Sequence, residues 1–215
     1  MRKNDALQRV TWNVGTALLF GLGSVVAAEP QTLTLQDHTG RGFPPDLVTY
    51  TIDAGITPRV LDADGKPLPV QVTPDEGGSA TLSFVAEIAP GGTSTYTLRS
   101  DGPTAPSAVS ATKDGGALVL ANQLLAVRVP ALQEKTFKKP VAADTLPSPI
   151  LAFRGPDGKW KGEGKLLLKR LVKKLTVTQS ANGPVFTEIR YRLDYAEGGC
   201  YEARVRVTDR APLAK

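Results

Sequence analysis

Residues 185–195 (VFTEIRYRLDY) place Val185, Thr187, Ile189, Tyr191, Leu193 and Tyr195 on one side and mostly charged residues on the other. A period of two held over eleven residues is the mark of a half-buried strand, and a 3.6-residue helix cannot keep that stripe on one face. The same alternation recurs in residues 47–53 (LVTYTID), 81–88 (TLSFVAEI), 93–99 (TSTYTLR) and 201–207 (YEARVRV). Asp64-Gly65, Gly77-Gly78 and Pro90-Gly91-Gly92 interrupt these runs with turn chemistry. The 21 glycines and 17 prolines therefore punctuate strands, and they show no collagen-like period. The expected class is all-β: a small β-sandwich or barrel followed by a second β-rich module.

Individual hairpins can be placed. Residues 59–72 (RVLDADGKPLPVQV) fold back around Asp64-Gly65, and Pro67 and Pro69 push the second arm to a sheet edge. Residues 117–129 form two strands around Asn122-Gln123. Residues 149–153 and the turn Gly155-Pro156-Asp157-Gly158 suggest another hairpin, and residues 174–180 run into the turn Asn182-Gly183-Pro184.

The last hairpin has a decidable register. A slip of one residue would turn every apolar side chain outward, which disfavours pairing Tyr195 with Cys200. Pairing Leu193 with Tyr201 and Tyr191 with Ala203 keeps both apolar faces together. It leaves Ala196-Glu197-Gly198 as the loop, with glycine where a left-handed residue is wanted. It also sets Arg192 opposite Glu202 and Glu188 opposite Arg206, each worth about 0.2–1 kcal/mol. Pairing Tyr195 with Tyr201 instead opposes Arg192 to Arg204 and Asp194 to Glu202. Charge selects the first register, at the cost of Arg190 opposite Arg204.

Helix competes with strand at one place, Lys165 to Leu175 (KLLLKRLVKKL). Leu167, Leu168, Leu171, Val172 and Leu175 follow helical spacing, and a basic amphipathic helix can lie on a membrane surface. No capping residue opens it and a β-like TVTQ follows, which favours strands or a short surface helix. Both readings stay open here.

The first 28 residues read as an export signal. Arg2, Lys3 and Arg9 precede an apolar run, residues 14–28, that ends in Val26-Ala27-Ala28 before Glu29-Pro30. The run is shorter than the ~20 residues of a membrane span, so cleavage after Ala28 and a secreted or periplasmic protein are expected. Residues 100–110 (SDGPTAPSAVS) have linker composition. The expected organisation is a signal peptide (1–28), an N-terminal β domain (29–101), a linker (102–112) and a second, incomplete β domain (113–215).

Composition removes many chemistries. One His and one Cys leave no HExxH, no multi-His or Cys-rich metal site and no internal disulfide. Phosphate-binding GxxxxGK[ST], GxGxxG and GxSxG are absent from the sequence. No cofactor, no metal and no catalytic residue is assigned. His38 reads as a loop histidine with a local hydrogen bond, and Cys200 as a small buried hydrophobe. Removing the leader lowers the net charge from +5 to about +3, too small a surplus to imply nucleic acid. The charge is uneven. Between Lys159 and Lys174 lie seven basic residues and one acid, Glu163. The candidate ligand residues are Lys169, Arg170, Lys173 and Lys174, with Trp160 as an aromatic platform beside a turn. The expected partner is an acidic polysaccharide. No membrane contact beyond the signal peptide is expected, and the oligomeric state stays open.

The runs 39–53 (TGRGFPPDLVTYTID), 60–72 (VLDADGKPLPVQV) and 80–99 (ATLSFVAEIAPGGTSTYTLR) carry a resemblance. They resemble the N-terminal β-barrel domain of large secreted exo-rhamnogalacturonan-lyase-like proteins, and also β domains of other carbohydrate-active enzymes such as the C-terminal part of α-mannosidases. Residues 118–131 (LVLANQLLAVRVPA) resemble the hairpin that opens a mutarotase-like supersandwich in such proteins. The resemblance covers about residues 32–209. It implies a scaffold or saccharide-binding β region of a polysaccharide lyase or glycoside hydrolase, with catalytic residues in later domains. Asn122 falls at the hairpin position, where its implied role is structural.

Overall fold

The computed structural model describes residues 30–75, 77–100, 105–212 and 214. The expected signal peptide and part of the expected linker lie outside them. Sixteen strands and a single 3-10 turn, Ala143–Thr145, make up the regular structure, with no α-helix among the described residues. The strands form four antiparallel sheets, none of them closed. The architecture is all-β and sandwich-like.

The first seven strands are β1 (Gln31–Gln36), β2 (Phe43–Asp53), β3 (Arg59–Leu61), β4 (Pro67–Leu68), β5 (Gln71–Pro74), β6 (Ser79–Ile88) and β7 (Thr93–Arg99). They make two sheets, ordered β1-β7-β3-β4 and β2-β6-β5. Leu33, Val60, Leu68 and Tyr96 from one sheet meet Leu82, Phe84 and Ala86 from the other in a shared core. The Asp64-Gly65 hairpin pairs Leu61 with Pro67 and Val60 with Leu68. Its proline-bearing arm is the outermost strand, where a missing N–H costs no ladder bond.

The other strands are β8 (Ser110–Asp114), β9 (Ala117–Ala121), β10 (Ala126–Pro130), β11 (Gln133–Ala142), β12 (Ala152–Arg154), β13 (Trp160–Lys161), β14 (Leu171–Asn182), β15 (Phe186–Tyr195) and β16 (Cys200–Thr208). They form sheets ordered β13-β12-β10-β9-β8 and β11-β14-β15-β16. Their core holds Leu118, Leu120, Val127 and Val129 against Val172, Leu175, Ile189, Tyr191 and Leu193. The Tyr191 hydroxyl donates to the Pro147 carbonyl at 2.7 Å, which satisfies the one polar atom that this side chain buries.

The β15–β16 register is the one that side-chain facing and charge select: Leu193 opposite Tyr201, Tyr191 opposite Ala203, Glu188 opposite Arg206. Gly198 has φ +96° in the three-residue loop.

Residues 165–175 settle as an irregular stretch followed by strand. Lys165 to Lys169 have no regular structure, and β14 starts at Leu171. The helical spacing has a β explanation. Val172 pairs with Tyr195 and Lys174 with Asp194, so the register shifts around Lys173. One extra residue lets Val172 and Leu175, three apart, both face the core. Leu167, which a helix would place on the apolar stripe, is 88% exposed.

The two sheet pairs touch directly. Val85, on the face of β6 turned away from its own core, clusters with Val185 and Phe186. The Gln71 Oε1 accepts the Phe186 N–H at 3.1 Å and the Val185 N–H at 3.4 Å. Arg210 donates to the Val85 carbonyl at 2.9 Å. These contacts explain why β6 is buried on both faces although its sequence alternates.

Candidate functional site

The strongest concentration of unpaired charge sits at the β11–β14 edge. Strand β11 is the outermost strand of its sheet. It pairs Lys135 with Leu175 and Thr136 with Lys174, and pairing resumes only at Val141 with Val172. Residues 137–140 thus bulge opposite the single residue Lys173. Lys138 and Lys139 lie in the bulge, Lys135 stands just before it, and Lys169 precedes β14 at the same end, where the Ala143 N–H bonds the Arg170 carbonyl. All five lysines are exposed, and none makes an ion pair among the described residues. Lys135 Nζ lies 5.2 Å from the Phe137 ring centre, which anchors one edge of the cluster.

The sequence-predicted stripe divides on this geometry. Lys169 and Lys173 join the cluster. Lys174 is engaged by Glu134 at 2.6 Å. Arg170 lies 3.5 Å from Glu197 and 4.2 Å over the Tyr195 ring. Lys161 bonds Asp157 at 2.6 Å, and that ammonium holds the Asp157 carboxyl below its usual range. Lys165 meets Glu163 at 3.4 Å. Sequence reasoning missed Lys135, Lys138 and Lys139. Their signal is the run KTFKK in a segment whose alternation fails, which is where a bulge gathers charge.

Trp160 stands apart, at the far edge of the other sheet. It is half-buried and pairs with Arg154 on β12. The Arg128 and Arg154 guanidinium carbons lie 4.4 and 4.9 Å from its ring centre, and Arg128 continues to Asp114 at 2.5 Å. Its ring is occupied by two cations of its own sheet.

Other singled-out residues fall into structural places. Cys200 is exposed, contrary to the expectation of a buried hydrophobe: Tyr201 turns inward in β16, so its neighbour turns out. His38 is exposed in the loop after β1, with no hydrogen bond among the described residues. Its neighbour Asp37 is buried and organises that loop. Among the described residues no group of three or more His, Cys, Asp or Glu side chains could hold a metal ion.

No family model matches the sequence, and no curated protein matches it. Among solved structures, an alpha-mannosidase from Enterococcus faecalis V583 matches with a TM-score of 0.38 and 10% identity. The match covers 86% of this chain and 29% of that one, so the chain spans less than a third of its neighbour's length. A superposition this loose transfers no residue and no activity.

Proposed function

We propose that this chain is a non-catalytic β region of an exported carbohydrate-active protein, a scaffold that binds acidic polysaccharide through the lysines of the β11–β14 edge. The observation that carries the reading is the bulge that sets Lys138 and Lys139 opposite Lys173, with Lys135 just before it and Lys169 just ahead of β14, and with no acid paired to any of the five among the described residues. Five exposed lysines along one sheet edge make a local excess of positive charge that draws a polyanion. Lysines and a bulge also protect an edge strand from pairing with another chain, and the two roles are compatible. The all-β sandwich architecture and the sequence pattern support placement beside a polysaccharide lyase or glycoside hydrolase unit, in the manner of exo-rhamnogalacturonan-lyase-like proteins. An envelope or extracellular adhesion module would use the same surface. The membrane-surface alternative loses its amphipathic helix, because residues 171–175 are strand.

The test is binding to polygalacturonate, with dextran as the neutral control. Affinity should fall steeply with salt, since exposed charges are screened over about 8–10 Å at physiological ionic strength. Replacing Lys135, Lys138, Lys139 and Lys173 with Gln should remove most binding. Replacing the paired Lys161, Lys165 and Lys174 with Gln should change little. Equal losses in both variants, or binding unmoved by salt, would reject the lysine edge as the site.

A further inference from the structure

Strand β16 is the outermost strand of its sheet, on the side away from the lysine edge. An edge strand offers a row of unpaired backbone groups to a second strand, and folds guard against this with proline, lysine, bulges or short length. The two longer edge strands carry such guards. β11 has its lysine bulge and Pro140, and β2 has Pro44 and Pro45 at a register shift. β16 runs nine residues, Cys200–Thr208, with no proline, glycine or lysine and an unbroken register to β15.

The ladder fixes which of its backbone groups point outward. The Tyr195 N–H bonds the Gly199 carbonyl at 3.1 Å, and the Asp209 N–H bonds the Val185 carbonyl at 2.8 Å. Both pairs continue the β15–β16 register, so the odd-numbered residues of β16 exchange hydrogen bonds with β15. The even-numbered ones turn their N–H and C=O groups away from it. Asn122 takes up the outward Thr208 carbonyl at 2.6 Å. The outward groups of Cys200, Glu202, Arg204 and Arg206 have no hydrogen bond among the described residues. The core face is also incompletely covered at this end: Tyr201 and Ala203 are half-buried, whereas Val205 and Val207 are buried.

This edge is complementary to itself. An antiparallel copy related by a two-fold axis at Ala203 sets Glu202 opposite Arg204 of the second copy, and Arg204 opposite its Glu202. These are outward-turned residues, so their backbones bond as well, and Cys200 meets Arg206 in the same way. On the core side Tyr201 meets Val205, apolar against apolar. An axis at Glu202 would oppose two carboxylates, one at Arg204 two guanidinium groups, and one at Val205 would set Arg204 against Arg206. Arg204 has the most to gain. Its side chain is 62% exposed, and its one acid, Glu202, lies 3.6 Å away and is shared with Arg190 and Arg192.

We infer that this chain forms a two-fold dimer through β16, with the two four-stranded sheets joined edge to edge at Ala203. The lysine edge is the far border of each sheet, so the contact leaves it free and does not depend on it.

Sedimentation equilibrium of the full chain should show monomer and dimer and no larger species, because a two-fold contact closes on itself. Arg204→Pro removes an outward N–H and no bond to β15, so the β circular-dichroism signal should stay and the dimer should be lost. Arg204→Glu sets carboxylate against carboxylate at both symmetric positions and should weaken the dimer about tenfold or more. Disulfide trapping in a Cys200→Ser background locates the axis. Ala203→Cys places the two Cα atoms about 4.5 Å apart and should cross-link under mild oxidation, whereas Arg204→Cys makes diagonal neighbours about 7–8 Å apart and should not. The lysine-to-glutamine variant should dimerise as the parent does, and Arg204→Pro should bind polygalacturonate to the parent's degree. A monomer at every concentration, a dimer that both Arg204→Pro and Arg204→Glu leave intact, or cross-linking at position 204 in preference to 203 would overturn the assignment.

Discussion

Asn122 and Thr208 are joined across 86 positions of chain by a 2.6 Å hydrogen bond from the Asn122 amide to the Thr208 carbonyl. The same amide donates to the Ala211 carbonyl at 2.9 Å, and its oxygen accepts the Leu124 and Leu125 N–H groups. One side chain therefore closes the β9–β10 turn and ties it to the segment after β16. Asn122→Ala should cost about 2 kcal/mol in urea unfolding, because carbonyls and amides lose partners together. Asn122→Asp is the sharper probe. Its carboxylate keeps the acceptor role but faces two carbonyl oxygens, so it should be the less stable variant at neutral pH. Acid should restore part of the loss, because a protonated carboxyl donates again. Equal stability of Asp and Asn at pH 7 would contradict this account.

Asp37 holds the two loops at one end of the first sandwich. Its Oδ1 accepts from the Thr39 hydroxyl and N–H, both at 2.7 Å, and its Oδ2 from the Gly42 and Gly91 N–H groups, both at 2.8 Å. The Thr39 hydroxyl bond leads, followed by the backbone N–H bonds, in holding this carboxyl well below the usual range. The folded state thus binds this proton less readily than the unfolded chain. The resulting stability is whole above the ordinary Asp value of about 3.9 and is lost as pH falls below it. Asp37→Asn should flatten the decline of Tm in the acid range relative to the parent. An unchanged acid slope would place the proton uptake elsewhere.

How much of this was legible depends on how locally it is encoded. Strand facing and the β15–β16 register follow from alternation and pairwise charge, which lie within twenty-odd residues of sequence. The bulges do not. At Lys173 one inserted residue gives Val172 and Leu175 a helical spacing within a strand, and in residues 137–140 the alternation fails outright. The lysine cluster is built on both, so the sequence revealed its β14 half and hid its β11 half. Cys200 was misplaced for a simpler reason: its residue type suggested burial, while the register already chosen turned it outward.

Gln71 couples the two halves of the fold, and Gly183 makes room for it. A Cβ on Gly183 would lie 2.2 Å from the Gln71 amide. Gln71→Ala should cost about 1–3 kcal/mol by leaving the Phe186 N–H buried without its acceptor. Gly183→Ala should also destabilise, by displacing the same side chain. The double variant should then be less unstable than the two losses added together, because both act on one contact. Strict additivity in chemical denaturation would mean that the glycine serves the turn alone.

Glu202 resolves the one repulsive pairing in the last hairpin. Arg190 and Arg204 stand directly opposite each other. Glu202 reaches Arg190 at 2.5 Å, Arg204 at 3.6 Å and Arg192 at 3.7 Å, so one carboxylate serves three guanidinium groups. The Arg190 hydrogen bond is the main cause of its lowered pKa. Glu202→Gln preserves size and leaves Arg190 and Arg204 facing each other without their counter-charge, while Arg192 keeps Asp194 at 2.8 Å. Tm should fall at low ionic strength, and the difference from the parent should shrink as added salt shortens the screening length to about 3 Å at 1 M. In an Arg204→Gln background the same substitution should cost less, because part of the repulsion is already gone. If Glu202→Gln lowers Tm equally in both backgrounds and at both salt levels, the carboxylate contributes through local hydrogen bonding, and the opposed arginines need no counter-charge.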